Sequence, residues 1–221
     1  VSPLLSNIYL NEVDDMLEKA TEVTRYRYTQ LEYARFADDL VVLIDGYPQH
    51  EWLVKAEDKR LREELAKLEV EVNEEKSQIV DLSKGECFGF LGFEFRLVRS
   101  QRGIWRPHYT PQLKKRTDLL RRLKVVFRNF QSQPIARVIE IINPTLRGWV
   151  NYFAPGNSSQ CFDFIREWVE RKVRRHLTRA RKRKGFGWKR WSKRWLHDEL
   201  GLFDDYRVRR MPLKPKALPT R

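Results

Sequence analysis

Two adjacent carboxylates, Asp38 and Asp39, are the residues of this sequence whose types and spacing best suit chemistry. They lie between two apolar runs, and their mutual repulsion costs free energy unless a cation, a basic side chain or water compensates the charge. A divalent metal ion is the compensating partner that would also supply chemistry. On these residues alone, an ordinary solvated turn stays open as the alternative.

The residues around this acidic pair predict a β-hairpin that carries the carboxylates at its tip. Strand-forming residues occur on both sides of the pair, in a segment that runs from Leu31 to Ile44. Ala37 supplies a small residue at the connection, and aspartate tolerates turn geometry.

The segments on either side of the hairpin predict the rest of an α+β domain. Apolar residues at helical spacing from Leu5 to Ala20 predict one helix, begun by Ser2-Pro3, that packs against a sheet. A second amphipathic helix is expected from Glu51 to Lys67. Short strands are expected at Val70–Val72 and at Gln78–Leu82.

A second hairpin is predicted further along the chain. From Cys87 to Val98 aromatic residues alternate with small or polar ones, and glycines within a strand often mark a bulge or the close approach of another backbone. Ser100–Gly103 is expected to turn the chain, and Ile104–Tyr109 to return as the partner strand.

Everything after Pro111 predicts helices. One is expected over Leu113–Phe130, a second over Ile135–Phe153 with a stop or kink at Pro144, and a third from Cys161 to about Lys184. The proline-spaced end of the chain, 211–219, predicts an extended tail.

The composition is that of a globular protein that can bury a substantial core, since 41% of its 221 residues are hydrophobic. No apolar run reaches the 18 residues of a membrane span, so no membrane partner is expected. Cys87 and Cys161 lie far apart without metal-ligand spacing, which favours a reducing compartment. We therefore expect a cytoplasmic protein in a bacterium, or an otherwise intracellular one.

The charge is distributed unevenly along the chain. Residues 1–110 hold 15 Lys+Arg against 21 Asp+Glu, a net of −6, and the remaining 29 against 9 give +20. Such an asymmetry predicts that the second half meets a polyanion. Between Arg171 and Trp195 the 13 basic residues are interleaved with three tryptophans, which could stack on bases or equally form the core face of a helix.

Five blocks in order resemble the reverse transcriptases encoded by group II introns, which also act as maturases, and the similarity covers nearly the whole chain. The blocks are Ser2–Asp14 (S-P-L-L-x-N), Arg35–Asp39 (Y-A-D-D), Asn73–Ser77, Phe90–Phe93 (F-L-G-F) and Leu146–Phe153 (thumb, or maturase X domain). The resemblance implies a partial polymerase palm at 1–110, with an antiparallel sheet, two helices and the catalytic hairpin. A helical thumb and X domain at 111–200 and an extended basic tail at 201–221 would follow.

The resemblance also implies roles for individual residues. Asp38 and Asp39 would be ligands of a two-metal Mg²⁺ site for nucleotidyl transfer, and Lys76 would lie beside the phosphates of the deoxynucleoside triphosphate. Phe90, Leu91, Gly92 and Phe93 would form the primer grip.

Basic side chains of the second half would hold the intron RNA or template and the DNA primer. This expected nucleic-acid-binding set comprises Lys114, Lys115, Arg121, Arg122, Arg147, Arg174, Arg175, Arg179, Arg181, Lys182, Arg183, Lys189 and Arg190. The oligomeric state is not indicated by the sequence.

The sequence departs from the family's pattern in two ways. Phe36 stands where the family has tyrosine, which keeps the ring and loses the hydroxyl. The family's remaining catalytic aspartate and its fingers belong to an upstream block that this chain lacks, and nothing indicates that Asp14 or Asp15 replaces that aspartate. We therefore expect a polymerase fragment that is inactive alone.

Two other functions stay open. The chain could be a non-catalytic RNA-binding maturase that assists splicing, in which the palm is only a scaffold. It could also be a reverse transcriptase of a defence or diversity-generating system, although the block from Arg147 to Phe153 favours the intron type.

Overall fold

The computed structural model describes residues 3–25, 31–182, 184–185 and 187–209. The predicted helix cap at Ser2, the cation Arg183 and the predicted tail at 211–219 lie outside these residues. The chain divides into two compact units, Val1–Phe90 and Leu91–Arg221. The fold is α+β, with small antiparallel sheets followed by helices, as predicted.

The first unit begins with two helices where we expected one. Helix α1 spans Pro3–Tyr9 and helix α2 spans Asn11–Arg25. The carbonyl of Leu10 accepts hydrogen bonds from the amides of Val13 and Asp14, at 3.1 and 3.2 Å, which starts the second helix afresh. Only the apolar face of α2 is buried, whereas the large apolar side chains of α1 are exposed.

The acidic hairpin forms as predicted. Strand β1, Leu31–Phe36, pairs antiparallel with β2, Asp39–Ile44, and the register places Phe36 opposite Asp39. Helix α3, Glu51–Lys67, then follows with the predicted bounds. A small core joins these elements through Val13, Met16, Leu17, Tyr33, Leu40, Val42, Leu61, Leu65 and Leu68.

The strands expected at Val70–Val72 and Gln78–Leu82 do not form. The amide of Val70 closes the end of α3 by donating to the Leu65 carbonyl at 2.9 Å, after Glu69 enters the left-handed region at φ 54°. That amide is therefore not available to a sheet ladder. The carboxylate of Asp81 accepts from the Ser83 amide at 2.9 Å and caps a short 3₁₀ turn, which directs the chain away from a strand.

The second hairpin forms with its predicted turn at Ser100–Gly103, but the segment Cys87–Val98, expected as one strand, is divided into two strands by a turn at Leu91–Gly92. The boundary between the two units falls at this additional turn. Strand β3 spans Cys87–Phe90, β4 spans Phe93–Arg99 and β5 spans Trp105–Pro111, in the sheet order β3-β4-β5. The pairing of β4 with β5 places Arg99 opposite Trp105. The contacts thus divide the chain before β4, because β4 and β5 pack with the helices that follow. The palm and thumb boundary that the resemblance implies at residue 110 stays a prediction.

Three helices form the rest of the second unit. Helix α4 spans Leu113–Asn129, α5 spans Ile135–Phe153 and α6 spans Ser159–Ala180. Helix α5 continues through Pro144, where we expected a stop or kink. Ile142 and Leu146, on either side of that proline, are both fully buried and hold the segment in the core.

Residues 201–209, which we assigned to an extended tail, instead close this core. Leu202, Phe203 and Tyr206 are buried among the helices. The Asn143 side chain donates to the Gly201 carbonyl at 2.8 Å and accepts from the Phe203 amide at 3.0 Å.

Candidate catalytic turn and nucleic-acid interface

The acidic pair lies at the connection between β1 and β2. Asp38 belongs to the turn and Asp39 begins β2, and both are exposed. Ala37 has a φ of 56°, in the left-handed region that residues other than glycine rarely adopt. The turn therefore presents both carboxylates to solvent on a strained connection between two paired strands.

Arg35 ties this turn to the helices of the first unit. Its Nε donates to Asp14 Oδ1 at 2.8 Å, and its Nη2 also binds the other oxygen of Asp14. Its Nη1 donates to Asn7 Oδ1 at 3.0 Å and to the Ala37 carbonyl at 2.8 Å. Hydrogen bonding to Asp14 raises the pKa of Arg35, so the guanidinium stays charged.

This arrangement explains two residues that sequence reasoning left without a role. Asp14 is the ion-pair partner of Arg35. Asn7, on α1, accepts a hydrogen bond from the same arginine. The available signal was the basic residue three positions before the acidic pair.

The acidic pair fits part of a magnesium site. Carboxylate oxygens are the ligands that Mg²⁺ prefers, and one or two of them normally suffice beside substrate phosphates and water. Within the described part of the chain no group of three or more His, Cys, Asp or Glu side chains could hold a metal ion. The residues present therefore supply two acidic ligands.

Lys76 lies on an exposed turn after α3. Its amide donates to the Asn73 carbonyl at 3.1 Å and to the Asn73 side chain at 3.2 Å. Among the described residues no hydrogen bond or ion pair joins Lys76 to Asp38 or Asp39. Its role beside a nucleotide stays a prediction.

The turn between β3 and β4 is tight, with two residues in the left-handed region. Leu91 has a φ of 48° and Gly92 a φ of 77°. Two successive positive φ values are typical of the type I′ turns that join antiparallel strands, in which glycine is favoured at the second position. The expected primer grip, Phe90–Phe93, is therefore a hairpin turn with its strands on either side.

The helices of the second unit hold this turn. The Tyr152 hydroxyl donates to the Leu91 carbonyl at 2.8 Å, and the Gln112 amide donates to the Gly92 carbonyl at 2.9 Å. The Phe93 ring lies 4.9 Å from the Phe153 ring between centroids and stacks on Tyr152 at 6.1 Å. These contacts of the turn with Tyr152 and Phe153 were not predicted from the sequence.

Gly156 shows how closely the strands and helices approach each other. A Cβ added there would lie 2.8 Å from the Phe93 ring and 2.9 Å from the Tyr109 carbonyl. The Asn157 amide donates to that same carbonyl at 2.7 Å. This close contact between the two backbones therefore fixes β5 against the segment that follows α5.

Most of the expected nucleic-acid-binding cations are exposed in the second unit. They are Lys114, Lys115, Arg121, Arg122, Arg147, Arg175, Arg179, Arg181, Lys182, Lys189 and Arg190. Of these, Arg121 pairs with Asp118 at 2.8 Å, and the others form no ion pair within the described residues. Unpaired exposed cations are free to contact phosphate groups.

Arg174 is the exception in this set, because its side chain is only 2% exposed. Its Nε donates to the Trp191 carbonyl at 2.9 Å and its Nη1 donates to Glu170 Oε2 at 3.2 Å. Glu170 is itself 1% exposed and lies 3.4 Å from His197 Nε2. Arg174 is therefore a structural cation of the core rather than part of an exposed phosphate-binding face.

The ionisation of this buried network follows from its contacts. Burial acts to raise the pKa of Glu170, but the hydrogen bond from His197 and the positive charges of Lys193 and Arg174 outweigh it and lower that pKa. The hydrogen bond with Glu170 in turn raises the pKa of His197. Each group therefore favours the charged form of the other.

The three tryptophans of the basic segment have different environments. Trp191 is buried and belongs to the core, Trp195 is half-buried against it, and Trp188 is 49% exposed. The two interpretations left open by the sequence thus apply to different residues. Core packing describes Trp191 and Trp195, and only Trp188 has a ring available to a ligand.

Among the described residues, none of the helices is both long and apolar enough to cross a membrane. Two family models match the chain: reverse transcriptase (RNA-dependent DNA polymerase) over residues 1–95, and group II intron, maturase-specific domain, over residues 116–195. No curated protein matches it. The first match contains the acidic turn and the β3–β4 turn, and the second contains most of the basic face. Together, and in this order, they show that the chain belongs to the group II intron reverse transcriptase/maturase family.

Proposed function

We propose that this chain binds intron RNA through the basic face of its second unit. We further propose that its Asp38–Asp39 turn is the metal-binding part of an RNA-directed DNA polymerase site. In the complete reaction the RNA would serve as template, a DNA strand as primer and deoxynucleoside triphosphates as substrates.

The exposed, unpaired cations of α4 and α6 carry the proposal for RNA binding. Lys114 and Arg122 lie on the exposed face of α4 and form no ion pair within the described part of the chain. A cation without a carboxylate partner breaks no ion pair when it binds phosphate, and its binding releases counterions from the nucleic acid. This face lies within the region that matches the maturase-specific model or directly beside it.

RNA binding can be measured by fluorescence anisotropy over a range of salt concentrations. Each lost phosphate contact should reduce the slope of log K against log salt by about 0.7 for a single strand. A Lys114→Gln, Arg122→Gln double variant should therefore reduce the slope by about 1.4. An unchanged slope would contradict the proposal.

Arg137→Gln provides the matched control. Arg137 is an exposed cation on α5, but it already pairs with Glu140 at 2.8 Å. Its loss should leave the salt slope within experimental error of the parent chain.

For the acidic turn, the proposal rests on the exposure and adjacency of Asp38 and Asp39. When bound, Mg²⁺ would supply charge stabilisation for nucleotidyl transfer. The chain's own part is to hold two carboxylates on a rigid turn, which Arg35 fixes through the Ala37 carbonyl. Binding of Mn²⁺, used as a spectroscopic probe, should weaken in an Asp38→Asn, Asp39→Asn variant. It should stay unchanged in an Asp45→Asn control directly after β2.

Primer extension separates the polymerase from a second candidate function, RNA binding without catalysis. The absence of a third acidic ligand near the pair, among the described residues, favours binding alone for the isolated chain. We expect no Mg²⁺-dependent extension of a DNA primer by this chain. Extension that disappears in the Asp38→Asn, Asp39→Asn variant would refute that expectation.

A further inference from the structure

A cavity of about 270 Å³ opens on the basic face of α6. Four arginines of α6 line it together with Thr178, Gly185 and the Trp188 ring. Its volume lies just below the roughly 300–1,000 Å³ of sites for drug-sized ligands, which suits one small unit of a polymer.

The Trp188 ring is presented to this cavity on a fixed support. The Arg174 guanidinium lies 4.3 Å from the centroid of the ring, and Arg174 is held from behind by Glu170 and the Trp191 carbonyl. The ring is nevertheless about half exposed. It therefore has one region braced by a buried cation and another open to a ligand.

The remaining arginines of the cavity form a row along the helix. Arg171, Arg175 and Arg179 recur every four residues, which spaces them by about 6 Å along one face. Within the described residues none of the three forms an ion pair.

The positive charges of this row act on the pKa of a neighbouring lysine. Burial and then the charges of Arg175, Lys124 and Arg179 lower the pKa of Lys172. The row is therefore a set of cations whose charge the protein itself leaves uncompensated, beside an exposed aromatic ring.

We propose that this cavity binds one unpaired nucleotide of an RNA, with the base against Trp188 and the adjoining phosphates along Arg171, Arg175 and Arg179. The inference rests on the proposed RNA binding and specifies what this part of the face recognises. A paired base hides its flat surface in the stack, so the ring can be used only by a base in a loop, bulge or single strand. The arginine row alone would bind any phosphate.

The test compares two RNAs of equal length, a fully paired hairpin and the same hairpin with one bulged 2-aminopurine. Stacking of a base on an aromatic ring contributes about 1–3 kcal/mol, so the full chain should bind the bulged RNA roughly 5- to 150-fold more tightly. The 2-aminopurine fluorescence should fall on binding. Trp188→Ala should abolish both effects while leaving affinity for the paired hairpin unchanged, and Trp188→Phe should retain most of the preference.

Trp105→Ala is the matched control, since Trp105 is 54% exposed in the same unit but lies on β5. It should retain the preference for the bulged RNA. Arg175→Gln should weaken binding of the bulged RNA and reduce its salt slope by about 0.7. This variant and the 2-aminopurine signal of the parent chain decide the question even if Trp188→Ala fails to fold.

The outcomes separate the two proposals. Equal affinity of the parent chain for both RNAs, with no change in 2-aminopurine fluorescence, would overturn the nucleotide site and leave general RNA binding intact. Failure to bind either RNA would overturn both. A preference for the bulge that survives in a folded Trp188→Ala variant would place the recognition elsewhere and overturn this assignment.

Discussion

Removing the Glu170 carboxylate should strongly destabilise the second unit. Glu170 and Arg174 are 1% and 2% exposed and pair at 3.2 Å. Removing one partner of a buried ion pair costs about 3–5 kcal/mol, because the other charge stays buried without compensation. Since Arg174 keeps its hydrogen bond to the Trp191 carbonyl, we expect Glu170→Ala to fall near the lower end, about 3 kcal/mol.

A thermodynamic cycle tests the cause of this loss. A Glu170→Met, Arg174→Met double variant replaces both charges with apolar side chains and should be far less destabilised than the sum of its single variants. Urea unfolding followed by tryptophan fluorescence measures the free energies of unfolding. The signal reports mainly the second unit, because Trp52 is the single tryptophan of the first.

Two results would refute this reasoning. A loss below about 1 kcal/mol for Glu170→Ala would mean that water reaches the pair and screens it. A double variant that loses the full sum of the single variants would mean that the side chains act independently.

Four further predictions concern the same unit. Because the pKa of His197 is raised above 6.5, its contribution to stability is complete below that pH and is lost as the pH rises through the raised value. His197→Gln should therefore show a weaker decline in unfolding free energy as the pH rises above 6.5. Gly156→Ala should cost about 1–3 kcal/mol in urea unfolding, because its Cβ meets backbone. Gly148→Ala, in open space on α5, should instead stabilise by up to about 1 kcal/mol. Tyr206→Phe should be neutral or slightly stabilising in thermal unfolding, because the buried hydroxyl has no hydrogen-bond partner among the described residues.

The results that would contradict these predictions differ. A His197→Gln variant with the parent's pH dependence would assign that dependence to another group. Equal changes in the free energy of unfolding for the two glycine variants would show that the protein accommodates a Cβ at Gly156 without cost. A loss above about 1 kcal/mol for Tyr206→Phe would indicate that its hydroxyl is hydrogen-bonded.

Local patterns predicted much of the fold. The acidic hairpin and α3 formed with the expected bounds, since strand formers around a small turn and a regular amphipathic repeat depend on neighbours in sequence. The strand that was predicted at Val70 but does not form shows the limit of prediction from local patterns. Apolar β-formers favoured a strand there, but the end of α3 required the same amide for its last turn.

The roles of charged residues were harder to predict. Arg174 stands in a run of basic residues that resembles a solvated face, and only the packing of α6 shows that it is buried. Glu170, one helical turn earlier, was the available signal. The role of Arg35 likewise depends on its hydrogen-bond partners in α1 and α2, which lie far away in sequence.

The attachment of the β3–β4 turn to α5 has a mechanical consequence. The Leu91 carbonyl is tied to the Tyr152 hydroxyl, and the Phe93 ring lies against Phe153 on the same helix. The turn cannot slide along α5 without breaking that bond and separating those rings. When α5 tilts, the Leu91–Gly92 turn therefore moves with it.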